Sequence, residues 1–331
     1  MKLAAEVGGG HGRAGGTGID AIVEDARTAE DLGFSAVLIP DHYVFEVIGE
    51  LQPERPAYDL FFVLATLAQR TSTVQLVSHV ACALFRHPAM HARLFAQIDE
   101  ASGGRVVAGI GAGWTRAEFD MMGIEYPPVS DRLVMLDEAA AIMRGLWTQE
   151  RFTYEGKYFH VRDAVCLPKP AQAGGPPLMI GGSGKGILRR AGEWADLIHM
   201  APVVGGPGTT TMQEVARFSD AALPAKLEHV RAAEAAAGRA PGSVGLATTA
   251  FVSTITKTES EARDAAEPLA AMVGLEVAEV LKHPAVLLGT AEQVVDELQR
   301  RRDEHGMALV GINAADEQQL RAFGEQVIPR L

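Results

Sequence analysis

Short apolar runs that read as strands alternate with helical patterns eight times along this 331-residue chain. That alternation, more than any single motif, limits what the chain can fold into. The strand-like runs fall at residues 3–7, 35–39, 74–83, 106–110, 178–180, 196–200, 244–253 and 308–312. Helical spacing fills the gaps. Ile22, Val23, Ala26, Ala29 and Leu32 share one face of 19–32 before Gly33 closes it. Further helices are expected at 59–69, at 88–100 with Pro88 in its first turn, at about 130–147, and from Gly184 to 193. Eight such units predict an α/β fold, a (β/α)8 TIM barrel occupying 1–331 as a single domain. A barrel of this kind needs only about 250 residues, so insertions are expected near 151–175, 203–211 and 259–288. In the first, Phe152, Tyr154, Glu155-Gly156-Lys157, Tyr158 and Phe159 predict a hairpin. The second is glycine-rich. The third adds helical material ahead of a helix opened by Thr290, with Gln293 in the capping-box position.

The chain is 47% hydrophobic, enough for a large core, and its net charge of −12 repels nucleic acid and anionic membranes. Neither is an expected partner. No apolar run approaches the roughly 20 residues that cross a bilayer, and no secretory hydrophobic region develops near residue 1, so a cytoplasmic protein is expected. Cys82 and Cys166 form neither a disulfide framework nor a metal motif. His87 and His91 sit four apart on a helix without a third ligand in view, and no metal is expected.

Two segments point to a ligand. Residues 101–114 join a turn at Ser102-Gly103-Gly104, a strand covered on both faces, and the exit Gly111-Ala112-Gly113-Trp114. Glycine there lets backbone approach a flat ligand, or simply makes a tight turn. The second segment, Gly181-Gly182-Ser183-Gly184-Lys185-Gly186, runs from a strand into a helix, where free amides bind phosphate and Lys185, Arg189 and Arg190 supply positive charge. It lacks the spacing of a Walker A loop. A turn without ligand is its alternative reading.

Several motifs in order resemble the bacterial luciferase-like family of flavin- and deazaflavin-dependent oxidoreductases, and especially its branch that uses coenzyme F420. They are Ala29 to Phe34 with Ile39-Pro40-Asp41-His42; Phe85-Arg86-His87-Pro88; Ser102 to Arg105 with Gly109 to Trp114; Arg132 to Trp147; Pro176 to Gly182 with Ala195-Asp196; and Leu288-Gly289-Thr290. The resemblance implies a luciferase-like barrel with insertions, an isoalloxazine-like ring at the C-terminal mouth, and a homodimer. It makes His42, just past the second strand, the catalytic candidate, able to exchange a proton with substrate or coenzyme; without the family, His42 reads equally as a strand-end cap bonded to Asp41. It assigns coenzyme contacts to Asp41, Ser78, His79, Val80, Ala112, Gly113, Gly181, Gly182, Ser183, Gly184 and Lys185. It also implies a non-proline cis peptide at His79-Val80, although relatives mostly carry a smaller residue where this chain has His79. Trp114, Phe119, Met121 and Met122 either wall an apolar pocket or pack a loop, and the stretch from Gly8 to Gly16 reads as a mobile first loop.

The function expected is hydride transfer between F420 and a small organic substrate. The alternatives are an FMN-dependent monooxygenase using reduced flavin and oxygen, a coenzyme-binding protein without turnover, and a barrel lyase holding phosphate at Gly181-Gly182. Fold alone does not separate them.

Overall fold

The protein is described from a computed structural model covering residues 1–8, 18–47, 49–203 and 208–331. Eight parallel strands close a ring: Lys2–Glu6, Ala36–Ile39, Gln75–Ser78, Val106–Gly111, Leu178–Gly181, Leu197–Met200, Gly245–Ile255 and Met307–Ala314. Each pairs with the next, the fourth with the fifth through Met179↔Gly109, and the eighth returns to the first through Lys2↔Leu309. The expected (β/α)8 barrel is therefore present.

Local chemistry sets the element ends. Asp59 caps the helix Leu60–Arg70 by accepting from the amides of Phe61 and Phe62 at 2.8 and 3.2 Å. Pro88 opens the helix Pro88–Ser102, and Gly103, at φ 70°, ends it in the left-handed conformation. Thr290 and Gln293 form the expected capping box on Ala291–His305. The ring interior is lined by one residue or more from each strand: Ala4, Ala36, Leu38, Val77, Val107, Met179, Leu197, Ala247 and Leu309. Their alternate neighbours face the helices and form the larger core.

The insertions differ in how far they follow the sequence reading. The hairpin exists as Phe152–Glu155 paired with His160–Ala164. Residues 259–288 hold the helices Glu259–Val273 and Val277–Lys282, but also a strand, Val286–Gly289, which pairs with residues 252–255 outside the ring. A second hairpin, Phe45–Val47 with Glu50–Gln52, follows the second barrel strand and was not expected. The third strand is broken where one run was read: it stops at Ser78, and Ala81–Cys82 pairs separately with the fourth strand. Between them lies the cis peptide His79-Val80, at the expected position. The glycine stretch after Gly8 and part of 203–211 fall outside the described residues. No helix among the described residues is long and apolar enough to cross a membrane.

Candidate active site

Above the apolar interior, the C-terminal mouth divides into a glycine side and a polar side. On the glycine side, the Val80 side chain occupies the space that Cβ atoms would need at three positions. A Cβ at Gly109 would lie 3.0 Å from Val80 Cγ1 and 2.0 Å from the Ser78 carbonyl oxygen, one at Gly111 2.8 Å from Val80 Cγ2, and one at Gly181 2.9 Å from the same methyl. These glycines are required by a close approach of protein to protein. Ser78 holds the arrangement from beneath: its hydroxyl donates to the Gly109 carbonyl at 2.8 Å and accepts from the Gly109 amide at 2.7 Å. Fully buried, Ser78 serves the strand pairing.

The polar side begins at His42. Its Nδ1 lies 3.1 Å from both carboxylate oxygens of Glu118, a buried residue on the helix Arg116–Met122. The same carboxylate accepts from the Tyr43 amide at 2.6 Å and the Val44 amide at 3.3 Å, so its position is fixed by the turn that carries His42. His42 is 19% exposed and Glu118 3%. Glu118 therefore holds the proton on Nδ1 and leaves Nε2 as the ring's proton-exchanging atom at the mouth. Trp114 stands edge-on to His42 at 5.8 Å and Phe45 packs at 5.7 Å. An imidazole oriented by a carboxylate behind apolar rings is equipped for general acid/base work. The sequence reading did not name Glu118.

Asp41, one residue earlier, is committed elsewhere. It is buried, accepts from the Cys82 amide at 3.0 Å, and pairs with Arg86, which also bridges to Asp59. Burial pushes its carboxyl up, and the Arg86 guanidinium opposes that shift. Asp41 thus ties the end of the second strand to residues 82–86, ahead of the helix Pro88–Ser102, rather than bonding His42.

His79 joins the site through partners that its own segment does not reveal. Its Nε2 lies 2.9 Å from Nε2 of His199 on the sixth strand, and Thr249 Oγ1 on the seventh is 3.0 Å from His199 and 3.4 Å from His79. Desolvation, with His42 adding to it, pushes His79 down to about 4, and burial beside His79 holds His199 well below the ordinary imidazole range. Glu6 ends the first strand on the register of the interior residue Ala4 and stands in electrostatic contact with Arg55.

At the fifth strand, Gly182 takes φ 120°, and Gly184 caps the helix Lys185–Trp194 where a Cβ would meet nothing within 4 Å. Ser183 Oγ donates to the Ala201 carbonyl at 2.6 Å. Of the cations nominated from sequence, Arg189 pairs with Glu193, and Arg190 is buried against Asp137, leaving exposed Lys185. Lys226, from the helix Leu223–Ala236, reaches the Ser183 carbonyl at 3.2 Å and adds a charge that the sequence did not point to. Ala112 and Gly113 follow the fourth strand. A Cβ at Gly113 would meet Phe119 at 2.6 Å. Phe119 packs this loop, while Met121 and Met122 face outward. Of the helical pair, His87 caps its own helix and His91 packs against Phe61 in the core.

Residues 2–328 match the family described as luciferase-like monooxygenase. An F420-dependent glucose-6-phosphate dehydrogenase of Microbacterium testaceum is 33% identical over 63% of this chain and 57% of its own length. One of Kineococcus radiotolerans is 30% identical over 67% of this chain and 60% of its own. The chain thus spans less than two thirds of these relatives. Among solved structures, an F420-dependent secondary alcohol dehydrogenase bound to an F420-acetone adduct superposes with a TM-score of 0.76 at 22% identity, covering 100% of this chain and 98% of that one. A monooxygenase of Streptomyces bottropensis gives 0.74 at 22% identity, with 99% of each chain covered.

Proposed function

The chain belongs to the luciferase-like monooxygenase family, and within it we propose an F420-dependent oxidoreductase that moves a hydride between the deazaflavin and a small organic substrate. The observation that carries this reading is the His42–Glu118 pair at the barrel mouth, a proton-exchanging group where substrate would meet a flat coenzyme. The names of the relatives supply the choice of coenzyme. The residues present fit one: Gly184 opens a helix with nothing within 4 Å of where its Cβ would stand, and Lys185 and Lys226 bring cations to that turn in an otherwise acidic chain. Gly181 to Lys185 would hold the coenzyme phosphate, and Ala112 and Gly113 would border the ring. The coenzyme, when bound, supplies hydride acceptance or donation. His42 takes the substrate hydroxyl proton at Nε2 during oxidation, or returns it to a carbonyl during reduction. Glu118 balances the imidazolium that forms. Trp114 and Phe45 exclude water beside it.

The reading extends to a homodimer in the cytoplasm. Phe62 and Met90, 52% and 48% exposed on helices Leu60–Arg70 and Pro88–Ser102, support a covered face there. Two free cysteines suit a reducing compartment. Neither nucleic acid nor membrane is proposed as a partner, and the single barrel domain with its insertions is taken as the working unit. Titration of the purified protein with F420 and with FMN tests the coenzyme directly. F420 should bind more tightly. Preference for FMN, with oxygen consumed during turnover, would replace this reading by a flavin monooxygenase. Tight binding with no turnover across alcohols and carbonyls would leave a coenzyme-binding protein.

A further inference from the structure

The contact between His79 and His199 is a separate piece of chemistry from the His42–Glu118 pair. Two imidazole nitrogens 2.9 Å apart require a proton between them, because two lone pairs at that distance repel and two N–H groups clash. The rings meet edge to face, their centroids 4.1 Å apart. His199 is 5% exposed and its alternate neighbours, Ile198 and Met200, face the helices, so His199 points into the ring. His79 is half-buried, and its amide donates to the Ile39 carbonyl at 2.7 Å, which fixes the ring at the mouth. Nε2 of His79 is engaged by His199 and Thr249. Its Nδ1 makes no hydrogen bond among the described residues and is the atom left for a ligand.

The surroundings favour a pair that is neutral at rest. Beside Thr249 lies Gly311 on the eighth strand, where a Cβ would come 2.5 Å from Thr249 Oγ1 and 2.6 Å from a methyl of Leu38 on the second. Among the described residues, His42, bonded to Glu118, acts electrostatically on His79, and Glu6 at the end of the first strand is in electrostatic contact with Arg55.

We propose that His79, His199 and Thr249 form a second proton-exchanging site on the floor of the mouth, in which a proton accepted from the ligand at His79 Nδ1 is matched by passage of the Nε2 proton from His79 to His199. The step balances: the ligand loses one proton, His79 changes tautomer and stays neutral, and His199 becomes an imidazolium whose Nε2–H donates back to His79 Nε2, with the Thr249 oxygen 3.0 Å away to share it. Reversal delivers a proton to the ligand. An anionic form of the ligand, close to the floor, favours the charged pair by attraction, raising its proton affinity by about 1–3 pK units. Taking that ligand as the deazaflavin rests on the function proposed above.

The test has two arms. In ligand-free protein, ring-nitrogen NMR through a pH titration should show His79 and His199 taking up one proton as a unit with a common midpoint, and His199→Gln should move the midpoint of His79. Rings that titrate independently, or a His79 midpoint unmoved by the substitution, overturn the proposal. In the second arm, calorimetry of F420 binding in buffers of different ionisation enthalpy should report a change of about one bound proton in the wild type near that midpoint, lost in His199→Gln. An equal change in the variant also overturns it. If the wild type does not bind F420, the coenzyme reading fails and the NMR arm alone decides the pair. If His199→Gln does not fold, Thr249→Val, which removes only the hydroxyl, replaces it in the NMR arm, where the common midpoint should move; an unmoved midpoint overturns the proposal.

Discussion

Replacing Glu118 by Gln is the sharpest perturbation of the His42 site, because it keeps shape and changes one polarity. The carboxylate accepts from the Tyr43 and Val44 amides through Oε1, and both oxygens lie 3.1 Å from His42 Nδ1. In the variant the amide oxygen stays with the two backbone donors, and the NH2 group is then aimed at Nδ1. That NH2 opposes an Nδ1–H, while the amide oxygen, equally near but neutral and shared with two backbone donors, holds the proton less well than a carboxylate, so the balance shifts toward the tautomer with the proton on Nε2. The nitrogen at the mouth thereby changes from acceptor to donor, and the imidazolium loses its balancing charge. Loss of a positioned acid/base group is worth about 10²–10⁴ in turnover, or roughly 3–5 kcal/mol of barrier. Folding should change little, since both backbone bonds survive. Ring-nitrogen NMR reads the tautomer without needing a substrate, and F420 reduction rates over a panel of small alcohols read the barrier. A Glu118→Gln protein whose His42 keeps its proton on Nδ1 and whose turnover stays within about twofold of wild type would refute the reasoning.

Charge reversal at the helix start, Lys185→Glu, should weaken F420 binding by about tenfold or more, about 1.4 kcal/mol, because a charge-assisted contact becomes a repulsion; an unchanged dissociation constant removes this loop from the site. Gly181→Ala should destabilise by about 1–3 kcal/mol through its clash with Val80, and pairing it with Val80→Ala should recover much of that loss, because the clashing atoms are the Val80 methyls. Melting temperatures that simply add would place the clash elsewhere. His91 is fully buried, and desolvation pushes it down to about 3 from an ordinary 6.5. Below pH 6.5 the unfolded chain takes up a proton that the folded chain refuses, so His91 alone should cost about 1.4 kcal/mol per pH unit on descent toward pH 3. His91→Phe should flatten that part of the stability profile, and an unaltered slope in urea melts would assign it to other groups.

The barrel was legible because strand and helix periods differ and because caps such as Asp59 and Thr290 act locally. His42 was legible for the same reason, standing just past a readable strand end. Glu118 was not, since it lies 76 residues from His42 and meets it only when the loop helix Arg116–Met122 folds over the mouth. His199 and Thr249 sit in apolar strands buried on both faces, where alternation carries no signal about which residue points inward. Asp41 and Ser78 were named as coenzyme contacts through the family resemblance; their own segments do not reveal that their side chains bond Arg86, the Cys82 amide and Gly109. Lys226 escaped notice since helix Leu223–Ala236 approaches the phosphate loop from another layer. The strand Val286–Gly289 was hidden in a helical stretch and exists through its partner at 252–255.

The seventh strand belongs to two constructions at once. Its first half, from Gly245 to Ala250, is a stave of the barrel and carries Thr249, while residues 252–255 pair with Val286–Gly289 outside the ring, Ser253 alone among them also pairing with Ala314 of the eighth strand. The pairing register with the eighth strand slips twice, between Leu246 and Ala247 and again between Ala250 and Ser253, the second at the boundary of the two. A bulge-like slip acts as an expansion joint. Lengthening, shortening or exchanging residues 256–285 loads the outer half first, and the irregularity takes up the displacement before it reaches the polar floor. The fold therefore offers a place where this protein can be diversified, by evolution or by loop grafting, with the position of its proton-handling residues left in register.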